Sequence, residues 1–573
     1  MIAPAKITWA FAAIVALGIA LALPGLNDLP VTQGDDTAYF ETARSLSLLL
    51  GWGGDNWANI IEGTADVGEL SARYEREGIK FIFPYYSKPL FDFICLVAIG
   101  IWGPQPHAIL YANLLFFAVA IWLIAWVGMA FFCAEVGLLA ALFFATSGSA
   151  LVYARTGMAH IASLAFFLLG AHLYLHFCRR ESSGGVRQFW VVGAIWGMCI
   201  AIHPNLLPYV GLCGMAEFVS SWRLRGRVLA LQRSFWLAVG GAGVALSIEA
   251  IYRAIGLFFG RTLSAASAWL VVPFRTYFEQ IALHADAVIA GEVTILQKIY
   301  TYLLLFWAHE GLLVCVLIGL SIVFWLRDDR KDAKILFILI LFWVPLLFFI
   351  CSKNQAVYRY AAGGCLPAAL LAAVALERLL LKTLRQWSWP PQRVLIWVIF
   401  AVAAVNIVHV RPIYAVESAW ASTAQWLKLH DEVRVVSASG NTLWAINGIK
   451  NIDPQRGAEG ARYIALYKRY ERAGERELMQ QLDRDARPVF TAPHRRPDKL
   501  LEIEFLVNNL VFDGLEALPG IGDYIYSMRL KALKYNYLHF IEVYELNGVV
   551  GEVGKRDRQS NGTGSEEETK HHG

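Results

Sequence analysis

The sequence predicts a polytopic α-helical membrane protein with about 11 to 13 transmembrane helices and a C-terminal extracytoplasmic α/β domain. Three observations favour this fold class. The 573 residues are 57% hydrophobic and 17% charged, with a mean hydropathy of +0.47, whereas soluble domains are about 25% charged. Apolar runs long enough to cross a bilayer recur between residues 7 and 410. From Arg411 onwards the charge density rises and strand-like patterns begin.

Residues 1–410 predict a transmembrane domain, because about 20 apolar residues form about 30 Å of helix, which is the thickness of the hydrocarbon core. Residues 89–103 are too short to cross and contain Asp92, so they predict a helix that lies at the interface or dips into it. The runs predicted to cross are 7–26, 108–131, 134–152, 158–178, 188–204, 206–221, 234–258, 299–326, 335–351, 362–381 and 393–410.

The placement of lysine and arginine predicts the orientation of these spans, because basic residues concentrate in cytoplasmic loops. With the N-terminus inside, the basic clusters all fall on the cytoplasmic side; they lie at 179–187, 223–227, 327–334 and 382–393. The turn 131–135 is also predicted inside, although it contains no basic residue. The outer face then receives the first outer loop 27–107, the junction around Arg155, the loop 259–298, the segment 353–359 and the chain beyond residue 410.

Residues 411–550 predict the extracytoplasmic α/β domain. Alternating or continuous apolar patterns predict strands at 433–437, 488–491 and 540–546. Helical periodicity predicts helices at 418–429 and 458–483. The remaining residues, 551–573, are polar, charged and glycine-rich, so they predict a disordered tail.

Asp35 and Asp36 follow the first predicted span directly, which places two adjacent carboxylates at a membrane surface. Such a pair needs a cation, a metal ion or a chemical task. The alternative is a helix N-cap, with one aspartate opening a helix over 37–50. Four cationic residues are predicted on the same outer face, and they are Lys88, Arg155, Lys353 and Arg359.

A cationic cluster in a membrane-facing cavity suits the phosphate head group of a lipid. An aspartate beside that phosphate can act as general base for an acceptor hydroxyl, with phosphate as the leaving group. These residues therefore favour sugar transfer from a polyprenyl-phosphate donor. A transporter or flippase for a lipid-linked or anionic solute is the alternative, although the charges gather at one face and no inverted repeat is visible.

Four short motifs resemble those of the C-type glycosyltransferases (GT-C), in the branch of protein O-mannosyltransferases and the bacterial lipid A aminoarabinose transferase. Residues 35–39 with 43–44 are similar to the Asp-Glu-x-x-Tyr…Ala-Arg start of that family's first outer loop. Residues 87–91, Ser-Lys-Pro-Leu-Phe, resemble its Lys/His-Pro-Pro-Leu segment. The stretches 145–158 and 358–367 resemble its Ala-Thr-Ser-Pro…Ala-Arg-Thr and Arg-Tyr…Pro segments, and the motifs follow the family order.

The resemblance implies an inverting glycosyltransferase of the cytoplasmic membrane, with its site on the periplasmic side. It implies a polyprenyl-phosphate sugar donor and a hydroxyl acceptor on a lipid, a glycan or a protein. Asp35, with Asp36, matches the catalytic acidic position, and the residues expected around the lipid phosphate are Lys88, Arg155, Lys353, Arg359 and Tyr360. No redox cofactor is expected, a divalent cation is left open, and the net charge of +4 gives no indication of nucleic acid.

The sequence departs from the family pattern at His160, where an acidic residue is usual after the arginine. A neutral histidine can still accept a hydrogen bond or bind a metal ion, so His160 is included among the candidate site residues. The alternative is a histidine that serves only the packing of its helix. The departure also keeps open a third function, that of a catalytically silent scaffold with the same fold.

Overall fold

The chain divides into two compact units. The first unit contains residues 1–416 and 497–529, and the second contains residues 417–496 and 530–573. The computed structural model describes residues 4–26, 39–40, 42–44, 88–103, 105–179, 185–262, 294–327, 332–351, 362–381, 391–437, 444, 447–452, 461–467, 486–495, 501, 522–523, 526–527, 529–530 and 540–546.

The first unit is a bundle of apolar helices, and each run predicted to cross the membrane coincides with one of them or, for 134–152, with a bent pair. Within the described ranges, six helices are long and apolar enough to cross a membrane, or seven if that bent pair is one span. The chain is therefore a multi-pass membrane protein. The helices are α1 (Pro4–Ala22), α2 (Pro89–Trp102), α3 (His107–Phe131), α4 (Ala134–Ala145), α5 (Gly148–Ala154), α6 (His160–Arg179), α7 (Phe189–Ile202), α8 (Leu207–Arg225), α9 (Arg227–Thr262), α10 (Ile295–Arg327), α11 (Ala333–Cys351), α12 (Cys365–Leu376) and α13 (Pro391–Val410).

Helix α3 separates two ends of the bundle, because its 25 residues span about 37 Å. At its first turns, Leu110 packs against Leu26, and the Asn113 amide donates hydrogen bonds to the carbonyls of Thr156 at 2.6 Å and Met158 at 2.9 Å. We call this the Arg155 end. The ends of α1 and of the 155–159 turn therefore lie beside the start of α3.

The last turn of α3 defines the opposite end, which we call the Lys334 end. The Arg179 guanidinium donates to the Ala130 carbonyl at 2.9 Å, and the Lys334 ammonium donates to the Phe131 carbonyl at 2.6 Å. The turn 131–135, which has no basic residue of its own, thus receives two cations from α6 and α11. Their placement explains why this turn departs from the pattern of the other loops at the same end.

Helix α2 is a short element beside α3. Its 14 residues extend about 21 Å, which is less than the hydrocarbon core, and the chain leaves it at Gly103 with φ 86°. This length agrees with the prediction that residues 89–103 form a helix that does not cross.

The second unit contains a five-stranded mixed sheet with strands β1 (Arg434–Val436), β2 (Lys450–Ile452), β3 (Tyr463–Tyr467), β4 (Phe490–Pro493) and β5 (Phe540–Glu545). Their order in the sheet is β2-β1-β3-β5-β4. Strand β1 pairs in parallel with β2 and β3, whereas β5 pairs antiparallel with β3 and β4. Helix α14 (Ala419–Leu429) begins at Ser418, whose hydroxyl accepts a hydrogen bond from the Ala421 amide at 3.3 Å.

The prediction of a helix over 458–483 is wrong for residues 463–467, which form the central strand β3. All five side chains of β3 are buried, because both faces of the sheet are covered there. Tyr463, Ala465 and Tyr467 pack into one apolar cluster, whereas Ile464 and Leu466 pack into another on the opposite face. A strand buried on both faces reads as a continuous apolar run, which periodicity does not distinguish from a helix.

Candidate functional site

Three of the predicted site residues, Lys88, Arg155 and His160, lie in the part of the chain that the structure describes. The predicted catalytic pair, Asp35 and Asp36, lies outside the described residues. The same holds for three predicted phosphate-binding residues, which are Lys353, Arg359 and Tyr360. The structure therefore gives the surroundings of two predicted cations, Lys88 and Arg155, and of one imidazole, His160.

Lys88 stands immediately before α2, whose first residue is Pro89, and it is 4% exposed. Its ammonium donates a hydrogen bond to the Tyr39 hydroxyl and lies 4.9 Å from the centre of the Tyr39 ring. The same ring meets Phe91 edge-on, with 5.1 Å between ring centres. Tyr39 follows Asp35 by four positions in the chain, so this contact ties the segment after the acidic pair to the start of α2.

Asp92 lies one helical turn after Lys88 and is 1% exposed. Neither of its carboxylate oxygens has a hydrogen-bond partner in the described structure. Burial raises the pKa of Asp92 well above its usual range, and the Lys88 ammonium opposes this shift. A buried carboxyl and a buried ammonium thus occupy the first turn of one short helix.

Arg155 follows the last residue of α5 and is 3% exposed. One of its terminal nitrogens donates to the carbonyls of Ala22 at 2.8 Å and Pro24 at 2.7 Å. Helix C-terminal carbonyls have no partner within the helix, so this guanidinium satisfies and electrostatically complements the end of α1. Burial lowers the pKa of Arg155 from its ordinary value, the nearby Tyr414 opposes this shift, and an arginine remains charged.

The Arg155 guanidinium also stacks on Tyr414, with 5.1 Å between its central carbon and the ring centre. The Tyr414 hydroxyl in turn donates to the Leu21 carbonyl at 2.6 Å. Both side chains, Arg155 and Tyr414, therefore bind the carbonyl groups at the end of α1. The Nε atom of Arg155 is buried without a hydrogen-bond partner in the described structure, so the side chain has an unused donor.

His160 is the first residue of α6 and lies between two rings. Its imidazole stacks on Tyr153 at 4.3 Å between centres and meets His203 on another side, also at 4.3 Å. His203 is 3% exposed and occupies the break between α7 and α8, where its Nδ1 accepts a hydrogen bond from the Asn205 amide at 3.3 Å. Two imidazoles and a phenol thus stand where the family resemblance leads one to expect an acid.

The described residues contain no group of three or more histidine, cysteine, aspartate or glutamate side chains placed to share a metal ion. His160 and His203 are a pair, and a protein site for a transition metal ordinarily uses more ligands than two. Asp35 and Asp36, which could add to such a set, lie outside the described residues.

A buried acid on α10 supports the segment that carries Arg155. Glu310 is 5% exposed and accepts hydrogen bonds from the hydroxyls of Ser147, at 3.1 Å, and Ser149 at the start of α5. Next to it, Gly311 has φ 82°, and the helix is kinked there. The approach is close, because a Cβ atom on Gly148 would stand 2.0 Å from the His309 carbonyl oxygen.

Sequence reasoning identified Lys88, Arg155 and His160 but missed the side chains that hold them. Asn113, which fixes the 155–159 turn, carried a signal, because it is a lone amide in an apolar run. Tyr39 carried one too, because it is the tyrosine of the first motif. Tyr414 carried none, since its contact with Arg155 joins residues far apart in the chain.

No protein-family model matches the chain, and its sequence matches no curated protein. The fold, in contrast, is that of the C-type glycosyltransferases. The chain is similar to the crystal structure of ArnT from Cupriavidus metallidurans bound to undecaprenyl phosphate, with a TM-score of 0.52 and 13% identity over 84% of this chain and 96% of ArnT. The apo state of the same ArnT gives a TM-score of 0.50 and 13% identity over 85% and 97%.

A further match is the archaeal oligosaccharyltransferase AglB from Archaeoglobus fulgidus in complex with an inhibitory peptide and a dolichol-phosphate. It has a TM-score of 0.46 and 11% identity, over 94% of this chain and 88% of AglB.

Proposed function

We propose that this chain is an integral membrane glycosyltransferase that moves a sugar from a polyprenyl-phosphate donor to a hydroxyl acceptor. The observation that carries the proposal is the buried contact of Lys88 with Tyr39. It brings a cation suited to a phosphate next to the segment that follows Asp35 and Asp36. The ArnT structure of the same fold, which is bound to undecaprenyl phosphate, supports the choice of lipid.

The proposed reaction is a displacement at the sugar's anomeric carbon. The Asp35 carboxylate accepts the proton of the acceptor hydroxyl, whose oxygen forms the new bond to that carbon. The bond from the carbon to the phosphate oxygen breaks, and polyprenyl phosphate leaves with the electron pair. Lys88 then stabilises the charge of the departing phosphate, and Asp36 is the second carboxylate of the site.

Arg155 and the three residues Lys353, Arg359 and Tyr360 complete the proposed phosphate site. Arg155 stands at the same end of the bundle as the end of α1, which leads into the first loop. Its buried Nε is a free donor in the described structure, and a phosphate oxygen is an acceptor that would satisfy it. His160 is proposed to line the acceptor side, as an imidazole that accepts a hydrogen bond.

We propose further that the Arg155 end faces the periplasm or exterior. Arg179 and Lys334 both contact the last turn of α3, at the opposite end. The basic segments 223–227 and 327–334 connect helices at that same end. Basic residues favour the cytoplasmic side, so this placement supports an extracytoplasmic site and an extracytoplasmic second unit.

The experiment is mass analysis of lipid-linked sugars and envelope glycans from cells with and without the chain, repeated with Asp35→Asn. We expect the intact chain to release polyprenyl phosphate, and Asp35→Asn to lower turnover by about 100-fold or more, the range for loss of a general base. Asp66→Asn removes the same charge from the same loop outside the motif and should keep activity. Full turnover by a folded Asp35→Asn variant would refute the assignment of the base.

A catalytically silent scaffold is the second candidate, because aromatic and imidazole rings surround His160 where the family usually has an acid. The same experiment separates the candidates. A scaffold consumes no donor in any variant, and a transporter moves solute across vesicle membranes without consuming donor.

A further inference from the structure

A cavity lies in the first unit and is lined by none of the three described site residues, Lys88, Arg155 and His160. Its volume is about 540 Å³, within the range of pockets that bind small molecules. Helices α3, α6, α7, α8, α11 and α12 contribute its walls. Most of the lining is apolar or aromatic, including Phe167, Trp196, Phe337 and Leu370.

The cavity extends along α8 for about the depth of one membrane leaflet. Both Tyr209 and Arg223 line it, and these residues are 14 positions apart on α8, which corresponds to about 21 Å. Half of a bilayer, with its head-group region included, is about 20–22 Å. The cavity therefore has the length of one phospholipid, and its mouth is at the Lys334 end.

Charge is distributed unevenly along the cavity. Among the described residues that line the cavity, the one acid is Glu217, which is buried and accepts hydrogen bonds from Arg233 at 2.9 Å, from Ser221 and from Tyr174. The lining cations, Arg223 and Lys334, are exposed at the mouth. The deep part of the cavity is thus apolar, and the charge of its carboxylate is neutralised by Arg233. The mouth of the cavity carries the positive charges of Arg223 and Lys334.

We infer that this cavity binds an anionic phospholipid from the leaflet at the Lys334 end. An acyl chain packs along Phe167, Trp196 and Phe337, and the lipid phosphate contacts Arg223 and Lys334. Guanidinium and ammonium groups are the side chains that bind phosphate, and cations near a membrane surface favour anionic lipids. The mouth of the cavity and Arg155 lie at opposite ends of α3, which are about 37 Å apart, and none of Lys88, Arg155 and His160 lines the cavity.

The test is lipid retention by the full-length chain, purified in detergent, exchanged with phosphatidylglycerol or phosphatidylcholine and measured by native mass spectrometry. We expect phosphatidylglycerol to be retained preferentially. Arg223→Ala with Lys334→Ala should reduce that retention by about 30-fold, since each cation contributes about fivefold. The matched control is Arg187→Ala with Arg327→Ala, which removes two exposed cations from helix ends without touching the cavity lining.

A second variant, Ala216→Phe, fills the cavity and keeps both cations. It should abolish retention of either lipid while the chain stays monodisperse. Three results would overturn the inference: equal retention of the two lipids, equal loss in the control pair, or displacement of phosphatidylglycerol by undecaprenyl phosphate, which would assign the cavity to the donor's tail.

Discussion

Lys88 is the residue on which the proposed site depends most, because a buried ammonium is costly unless it is paired or hydrogen-bonded. Its hydrogen bond with Tyr39 meets part of that need in the described structure. A lipid phosphate arriving at Lys88 would supply the counter-charge. The site is therefore arranged to hold a cation in place before the anion binds.

Tyr39→Phe tests this arrangement directly, since it removes the hydroxyl and keeps the ring against Phe91. A hydrogen bond to a charged group contributes about 1.5–3 kcal/mol, so the apparent affinity for the lipid-linked donor should fall by about 10- to 100-fold. Donor titrations against turnover measure the change. Tyr209→Phe is the control, because the Tyr209 hydroxyl has no hydrogen-bond partner in the described structure, and equal effects of the two changes would argue against the role of Tyr39.

Asp92 predicts a pH dependence of stability. Its pKa is raised in the folded chain by burial, so the folded state holds the proton more tightly than the unfolded state. The stability that this proton gives is therefore full below the unfolded pKa and declines as the pH rises towards the folded pKa. Asp92→Asn should raise the unfolding midpoint at neutral pH and lose its advantage at low pH, as thermal scans across pH would record. A lower midpoint at neutral pH would instead indicate a charged Asp92 paired with Lys88.

At the scale of elements, the short helix α5 is held at both ends. Glu310 accepts hydrogen bonds at its start, and Arg155 reaches from its end to the carbonyls of α1. A seven-residue helix has little stability of its own, so these contacts determine where Arg155 lies. Glu310 is thus a positioning residue, which acts on the site through α5.

Glu310→Ala should leave the hydroxyls of Ser147 and Ser149 buried without this acceptor. The expected cost is about 1–3 kcal/mol of stability, together with a lower donor affinity, because Arg155 is displaced from the proposed phosphate site. Glu310→Gln, which keeps an acceptor oxygen, should restore most of both. Glu249→Gln is the control, since Glu249 pairs with a largely exposed Arg253 on the same helix. Unchanged kinetics in Glu310→Ala would remove the positioning role.

A helix or strand can be predicted from the sequence when the pattern that indicates it lies within one segment of the chain. The apolar runs that predict the transmembrane helices lie within single segments, so those helices could be identified from the sequence. Strand β3 could not, because its burial on both faces comes from partners elsewhere in the chain. The hydrogen bonds from Arg155 to the carbonyls of Ala22 and Pro24 could not be predicted from the sequence either, since the residues are more than a hundred positions apart.

At the scale of the whole first unit, the sequence predicted the grouping of charges into two ends. The turn 131–135 departs from this pattern because it has no basic residue, and the contacts of Arg179 and Lys334 with α3 account for the departure. The replacement of an acid by His160, surrounded by rings, was visible in the sequence only as a departure. Its packing between Tyr153 and His203 required the structure, because His203 lies in another helix break.

The central claim is that a lipid phosphate binds at Lys88, at the Arg155 end. Its most direct test is the binding of undecaprenyl phosphate to the purified full-length chain, compared between Lys88→Ala and Lys334→Ala. We expect Lys88→Ala to weaken binding by about 10- to 100-fold, as loss of a hydrogen bond between charged groups would, and Lys334→Ala to leave it unchanged. Weaker binding in Lys334→Ala with full binding in Lys88→Ala would place the phosphate at the opposite end and contradict the claim.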